Sequence, residues 1–300
     1  MSSSPAVICA GLTTLDVVHL VDAVPPSNQK VASRDFFMAA GGPATNAAVT
    51  AARCGSATTL VTALPQHHLS TVIRTDLEDC GVALHVADDS PTGPPLTAAI
   101  MVTQSTGDRA VVSPTASAVD VPPTPADFDP HALLDGAGAV LIDGYHRHLS
   151  LPLARAARKA GIPVVLDAGS HKPYTDELLA VTDVAVVSED FAFPDSPRDA
   201  SATWARLRSG GAVAAVITQG AGPMLVSVGA SVTEVAVEQL EVVDTLGAGD
   251  VLHGALTHCI ASLGLDVARL DQDLAWASRV VRVSLGSFGT RRWLSEALPE

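Results

Sequence analysis

A chain of 300 residues that is 47% hydrophobic holds enough apolar material for one large α/β domain, or for one domain with a small appendage. Charged residues reach only 17% and aromatics 4%, while Ala, Val, Leu and Gly dominate, as in a buried sheet covered by close-packed helices. The net charge of −14 excludes a surface that attracts nucleic acid or anionic lipid, so any bound phosphate must rely on local donors.

Residues 1–5 are uncharged in their side chains and lack the basic start and longer apolar region of a secretory signal. No apolar stretch of about 20 residues is present to span a bilayer, so a cytoplasmic location is expected. The run Ala6–Ala10 ends at Gly11 and reads as a buried first strand. Residues 16–20 and 34–38 read as short strands on either side of a Pro25-Pro26 turn. The alanine-rich stretch 44–54 reads as a helix packed tightly on a sheet and stopped by Gly55. Residues 96–102 and Arg109–Val112 form an expected hairpin around a Gly107-Asp108 turn. The stretch 119–130 holds several prolines and reads as a surface connection into the second half.

From there apolar runs and helical patterns alternate. Strands are expected at 139–142, 163–166, 184–187 and 212–217. Helices are expected at 151–160, closed by Gly161, at 175–181 and at Ala200–Ser209. Continuous apolar strands alternating with helices argue for a mainly parallel sheet covered on both faces. A last helix over 251–263 carries Leu252, Ala255, Leu256, Cys259, Ile260 and Leu263 on one stripe. The four cysteines (Cys9, Cys54, Cys80 and Cys259) form no CxxC and read as reduced core residues. The His67-His68 pair lacks the nearby Cys or carboxylate ligands that a metal site would need.

Chemistry concentrates in Asp244-Thr245-Leu246-Gly247-Ala248-Gly249-Asp250, which runs straight into that last helix. Small residues at 247–249 let a ligand approach the backbone. The opening turn of a helix adds unpaired N–H groups and partial positive charge. Together these make an anion cradle suited to a transferring phosphoryl group. Lys30, Lys159 and Lys172 follow no glycine-rich turn, which argues against a Walker-type lysine. On the residues alone, Asp250 reads equally as a helix cap or as the base that takes a proton from an attacking hydroxyl.

The run Asp244 to Asp250, continued by Val251-Leu252-His253-Gly254-Ala255, resembles the carboxyl-terminal signature of the ribokinase-like (PfkB) carbohydrate kinases. The resemblance extends to Gly41-Gly42-Pro43-Ala44-Thr45-Asn46-Ala47-Ala48, which leads to Arg53-Cys54-Gly55. It extends also to Gly11-Leu12-Thr13-Thr14-Leu15-Asp16 and to Val216-Ile217-Thr218-Gln219-Gly220, in the family's order over residues 6–290.

The resemblance implies a three-layer α/β/α sandwich with a mainly parallel central sheet, as a single domain over residues 1–300. A small β lid would come from segments 15–40 and 95–113 and would exclude water from the reacting phosphate. It implies an ATP-dependent sugar kinase with Asp250 as general base and the backbone of Gly247, Ala248 and Gly249 as anion hole. Asp16, Gly41, Gly42 and Asn46 would bind sugar hydroxyls; a carboxylate and a carboxamide can orient a polyol by paired hydrogen bonds. Arg109, in the lid hairpin, is a candidate partner for an anionic substituent or else a surface arginine.

Ser188, Thr218, Gly220 and Gly222, with Gly247 and Gly249, would bind the nucleotide. Pro223 stands where the family has a glycine, and Gly222 comes one place early. Where relatives carry Asn-x-x-Glu beside Mg2+, this chain has Ser188-Glu189-Asp190-Phe191, leaving Glu189 or Asp190 to reach the metal through water. Asp244 and the stretch 286–289 match a K+ site built from backbone carbonyls. The Ser variant and the run Asp250 to Gly254 lean toward the ketohexokinase and sulfofructose-kinase branches. Lids of this kind often pair between subunits, which favours a homodimer.

His146-Arg147-His148 follows an apolar strand where ligands gather in such sheets; it reads first as a solvated loop and second as a substrate contact. A nucleoside acceptor is the near alternative, and the scarcity of lid aromatics beyond Phe36-Phe37 argues against a base-stacking pocket. A non-catalytic sugar-binding regulator on the same scaffold is the other alternative, motivated by the altered 188–191 segment. A nicotinamide-dependent dehydrogenase fails, because residues 11–16 lack the glycine pattern for a pyrophosphate.

Overall fold

The computed structural model describes residues 5–114, 122–196 and 199–300; residues 1–4, and 119–121 of the expected connection, lie outside that set. The first half runs β1 (Ala6–Ala10), β2 (Thr14–Val21), β3 (Asp35–Gly41), α1 (Pro43–Arg53), β4 (Ala57–Ala63), α2 (His68–Asp79), β5 (Val82–Asp88), β6 (Thr97–Thr103) and β7 (Arg109–Val112). The second continues with α3 (Pro130–Leu133), β8 (Ala137–Ile142), α4 (Arg147–Lys159), β9 (Val164–Ala168), α5 (Thr175–Leu179) and β10 (Val184–Ser188). It then adds α6 (Ala200–Ser209), β11 (Ala214–Thr218), β12 (Met224–Val228) and β13 (Ser231–Val235). Two long helices, α7 (Ala248–Leu263) and α8 (Leu270–Ser284), precede a 3-10 turn at Arg292–Ser295.

The main sheet has the order β13-β12-β11-β10-β9-β8-β1-β4-β5, parallel except where β12 and β13 pair antiparallel at one edge. Strands β1 and β8 to β11 are apolar except at the carboxyl ends of β9, β10 and β11, because both faces are covered. Alternation along β1 shows the layering. Val7 and Cys9 pack with Ala47 and Ala51 of α1 and with Ile73 and Leu77 of α2. Ile8 and Ala10 face the other way, onto Leu153 and Ala157 of α4. Farther along, Val165, Val186 and Val216 meet Leu252, Leu256 and Leu274 of α7 and α8, while Leu166, Val187 and Ile217 meet Leu178 and Leu207. Each leucine buried in these layers contributes about 1.5–3 kcal/mol.

The helix expected to start at residue 151 begins earlier, at Arg147, and carries Pro152 inside it. Proline has no N–H to give the carbonyl four residues back. That carbonyl, on His148, accepts instead from the Thr124 hydroxyl at 2.8 Å, so the break is repaired from outside the helix. The His146–His148 run is therefore no solvated loop: His146 is 7% exposed and His148 3%.

A second sheet, of order β3-β2-β6-β7, is built from the segments expected to form the lid. Strand register aligns Asp16 with Ala39 and Ala98 on its inner face. The same face carries Val18 and Ile100, buried with Phe288. On the outer face, Val17 lies between Met38 and Ala99, and Ala99 is paired with Val112. Met38 and Val112 remain exposed there. Among the described residues, no helix is long and apolar enough to cross a membrane.

Candidate active site at the carboxyl edge of the sheet

Two helix starts face each other at this edge. Asp143, just past β8, accepts from the backbone N–H groups of Leu12 (2.8 Å), Ala44 (3.1 Å) and Tyr145 (2.9 Å). One buried carboxylate thereby ties the turn after β1 and the first residues of α1 to the end of β8. This fixes where Asn46 points. Opposite, Asp244 accepts from Leu246 N–H and Gly289 N–H, both at 2.8 Å, and so clamps the loop before α7 to the loop after α8. Gly247, at φ 76°, makes the left-handed turn into α7, a conformation costly for any residue with a Cβ. Beyond it, the N–H groups of the first helical turn have no intrahelical carbonyl to bond.

Asp250 stands on that first turn, half-buried, with its Oδ2 accepting from Asn46 Nδ2 at 2.9 Å. Removal from water pushes its pKa up to about 7, helped by the charge of Asp167 and opposed by the Asn46 hydrogen bond. Asp167, buried in β9, is likewise pushed up to about 7, first by burial and then by Asp143, with Lys172 opposing. Lys172 is itself buried; its ammonium bonds the carbonyl (2.9 Å) and hydroxyl (2.8 Å) of Ser170 and sits 4.3 Å over the Tyr145 ring. His253, one helical turn after Asp250, turns its Nδ1 to Gly249 O at 2.5 Å and Asp167 Oδ2 at 3.4 Å. Both facing atoms are acceptors, so Nδ1 is assigned the proton. Burial lowers the pKa of this ring and keeps it neutral.

The lid supplies Asp16, buried, with Thr14 Oγ1 donating to its Oδ1 at 2.6 Å. Burial raises its pKa to about 6, against the lowering effects of Thr14 and Arg291. Gly41 makes room for it: a Cβ there would lie 2.0 Å from Asp16 Oδ2. Gly42 is the cap of α1, the helix that carries Asn46. Arg109, exposed, reaches Thr245, with Nη1 donating to Oγ1 at 3.2 Å, while Thr245 Oγ1 donates to Gly107 O at 3.0 Å. The lid hairpin is thus fastened two residues before Gly247.

On the nucleotide side, Ser188 and Thr218 are register partners at the ends of β10 and β11. Gly220 and Gly222 shape the turn that follows, with Gly222 N–H donating to Gln219 O at 2.8 Å. Glu189 and Asp190 are exposed, and Phe191 turns back into the core, 5.1 Å from the Phe193 ring. No cluster of three or more His, Cys, Asp or Glu able to hold a metal occurs among the described residues. His67 serves as the cap of α2, its Nδ1 accepting from Leu69 N–H at 3.1 Å.

Sequence reasoning passed over several of these groups. Asp143 and Asp167 were marked in principle, each a carboxylate at the end of an apolar run. Arg291 had no local mark at all. It binds Asp76, Ala40 O and Asn46 Oδ1 and joins four separate segments.

The description pfkB family carbohydrate kinase matches residues 4–294 of the chain. Ribokinase of Bacillus subtilis (strain 168) is 25% identical over 291 residues, covering 95% of this chain and 94% of that protein. Ribokinase of Arabidopsis thaliana is 24% identical over 193 residues, which span 62% of this chain but only 50% of that one. The solved structure of Arabidopsis thaliana ribokinase complexed with ribose and ATP superposes with a TM-score of 0.78 at 21% identity, covering 98% of this chain and 100% of that one. These relatives do not carry the lean toward the ketohexokinase and sulfofructose-kinase branches.

Proposed function

The chain belongs to the pfkB family of carbohydrate kinases, phosphotransferases that act on a sugar hydroxyl, and from that premise we propose that it transfers the γ-phosphoryl group of ATP to a hydroxyl of a sugar or sugar derivative. The observation that carries this reading is Asp250, set on the first turn of α7 and held by the amide of Asn46. As the hydroxyl oxygen forms its bond to the γ-phosphorus, Asp250 takes the proton and ADP leaves with the electrons of the broken P–O bond. Charge on the moving phosphoryl group falls on the backbone of Gly247, Ala248 and Gly249. Asp16 and Asn46 orient the sugar; Gly41 gives the Asp16 carboxylate its room and Gly42 opens the helix that carries Asn46. Ser188, Thr218, Gly220 and Gly222 line the nucleotide side.

Magnesium keeps much of its water and binds through phosphate oxygens with one or two carboxylates, and the exposed pair Glu189 and Asp190 has that chemistry. When bound, the ion neutralises phosphate charge. Carbonyls of the loops that Asp244 clamps would serve K+; the Asp244 carboxylate itself is already committed to two N–H groups.

A sugar is favoured over a nucleoside because both lid aromatics are engaged elsewhere. Phe37 packs edge-on against Phe288 at 5.3 Å, and Phe36 lies beside His19 at 4.9 Å. The outer lid face, apolar and exposed at Met38 and Val112, supports lid-to-lid pairing of two copies.

The test is ADP release by the purified chain, with magnesium and ATP, over ketoses, aldoses, sugar acids and nucleosides. Sugar-dependent release is expected. Sugar binding without release under any condition would favour the non-catalytic regulator instead.

A further inference from the structure

The turn that leads into the anion cradle rests on the second sheet at two of its four residues. Ala248 N–H donates to Thr245 O at 3.3 Å and closes a turn over Thr245, Leu246, Gly247 and Ala248. Gly247, third in that turn, has φ 76° and ψ 7°, the geometry that a type II turn requires at this place. The closing bond is long, so the Ala248 N–H can be shared with a phosphoryl oxygen, as N–H groups at helix ends often are. Where Thr245 stands therefore decides where the N–H groups of Gly247, Ala248 and Gly249 point.

Thr245 is held from the β6–β7 hairpin. Its hydroxyl donates to Gly107 O at 3.0 Å and accepts from Arg109 Nη1 at 3.2 Å. Gly107 is buried, and a Cβ there would lie 3.4 Å from Val243 O, so the hairpin tip lies against the loop that precedes α7. Arg109 is exposed and its donors compete with water, which makes Gly107 the firmer partner. The next residue, Leu246, packs against the cluster that Val18 and Ile100 of the sheet form with Phe288.

Asp16 belongs to the same sheet. It is paired with Ala98 of β6, and two positions along, Val18 is paired with Ile100. Strand β6 runs on to Val102, which is paired with Arg109 of β7. Asp16 and the start of the 245–248 turn are thus mounted on one hydrogen-bonded block.

We propose that Thr245 is a positioning residue for phosphoryl transfer: its hydroxyl, bound to Gly107, sets the anion cradle by the position of the sheet that carries Asp16. Acceptor and cradle are then placed by one element rather than two. The inference rests on the sugar-kinase reading above.

Two measurements on the full chain with magnesium test it. One is ADP release with D-ribose and D-fructose. The other is calorimetric binding of ADP alone and of ADP with aluminium fluoride, a mimic of the transferring phosphoryl group. Thr245→Val removes the hydroxyl and keeps the shape. It should lower kcat about tenfold through misplacement of the reacting groups, while KM for the sugar stays within about twofold. Thr245→Ser keeps a hydroxyl and should hold kcat within about twofold of the parent. Arg109→Met, at an exposed site that spares the core, should lower kcat about threefold. In the parent, aluminium fluoride should tighten ADP binding about tenfold. Thr245→Val should lose that gain and bind ADP alone as the parent does.

Parent-like kcat in Thr245→Val overturns the inference, and so does a rise in sugar KM alone, which would mean that the bond only holds the sheet. A serine variant as slow as the valine overturns it too. The same holds for a fluoride gain that the valine leaves intact or that the parent lacks. Should Thr245→Val fail to fold, Arg109→Met decides through kcat and the fluoride gain. If no sugar releases ADP, the kinase reading falls, and the fluoride comparison still decides the role of Thr245.

Discussion

The side-chain amide of Asn46 donates to the carboxylate of Asp250 at 2.9 Å, joining the first turn of α1 to the first turn of α7 across 204 positions of sequence. A donor at this point favours the ionised carboxylate. Burial and the negative charge of Asp167 outweigh it, and the pKa settles at about 7. A base tuned near the working pH is both available to accept a proton and strong enough to take it.

Asp250→Asn should lower kcat by about 10²–10⁴-fold, the usual worth of a general base. Its stability should move the other way. The folded carboxyl titrates near 7 against an ordinary 3.8, so its contribution is fully present below 3.8 and lost as pH rises through 7. At pH 8 the amide escapes that loss, and the variant should melt no lower than the parent. Steady-state kinetics and thermal melts at pH 8 check both halves. Turnover within tenfold of the parent would remove Asp250 from the base role.

Asp167 acts on the proposed base at a distance. The charge of Asp167 bears on Asp250 and both carboxyls are pushed up to about 7, so kcat/KM should rise with pH through an inflection near 7. Asp167→Asn removes the charge that disfavours ionisation of Asp250, and the inflection should move to lower pH. A pH profile that does not move would show that Asp167 has only a packing role.

Much of this was legible in the chain, and the reasons differ by segment. The strands β1 and β8–β11 announced themselves because burial on both faces demands unbroken apolar runs. Helix α2 did not, because only Ser70, Ile73 and Leu77 of its residues are fully buried. Edge strand β13, Ser231–Val235, is exposed except at its last residue and carries no pattern. Asp16, Asn46 and Asp250 were singled out through their motifs, and the fold brings Asn46 and Asp250 into contact. His146 and His148 were read as solvated because Pro152 masked the true start of α4; both are buried. The Thr124 hydroxyl that repairs the helix lies 24 positions from His148.

Gly254 sets the distance between the two helix starts. A Cβ there would fall 2.3 Å from Ala47 O and 2.7 Å from Thr50 Cβ, both on α1. A backbone carbonyl cannot swing aside as a side chain can. Gly254→Ala should therefore push α1 away, costing about 1–3 kcal/mol of stability and breaking the Asn46–Asp250 bond. Chemical denaturation and kcat/KM should fall together. A variant with parent-like turnover would show that the close packing of α1 on α7 is not what places the base.

Lid pairing has a separate test. Met38→Glu or Val112→Glu places a charge on the exposed apolar face without touching the inner face that carries Asp16. Light scattering should find the parent a dimer and each variant a monomer at the same concentration. A monomeric parent ends the proposal.

Arg291 donates to the oxygen of the Asn46 amide whose nitrogen faces Asp250. Its Nη2 bonds Asp76 Oδ2 at 2.9 Å and Ala40 O at 2.6 Å, and Asp76 in turn accepts from Ala40 N–H at 2.9 Å. Strand β3, at one edge of the lid sheet, is thereby held through both backbone groups of one residue. From that anchorage Nη1 reaches Asn46 Oδ1 at 3.4 Å. With its oxygen claimed by a cation, the amide can turn only its nitrogen toward Asp250. Flipped, it would set a carbonyl oxygen against a carboxylate. Arg291→Ala should cost roughly 3 kcal/mol, since it leaves the mostly buried Asp76 without its partner. Loss of stability alone would not separate anchoring from orienting, but the pH profile does. Without the amide donor, the ionised form of Asp250 loses support and the inflection of kcat/KM should move to higher pH. Arg291→Lys keeps a charge near Asp76 but loses the planar fork, so it should recover part of the stability and still show the shifted profile. If either variant keeps the parent's pH profile, Arg291 anchors the lid and does not orient Asn46.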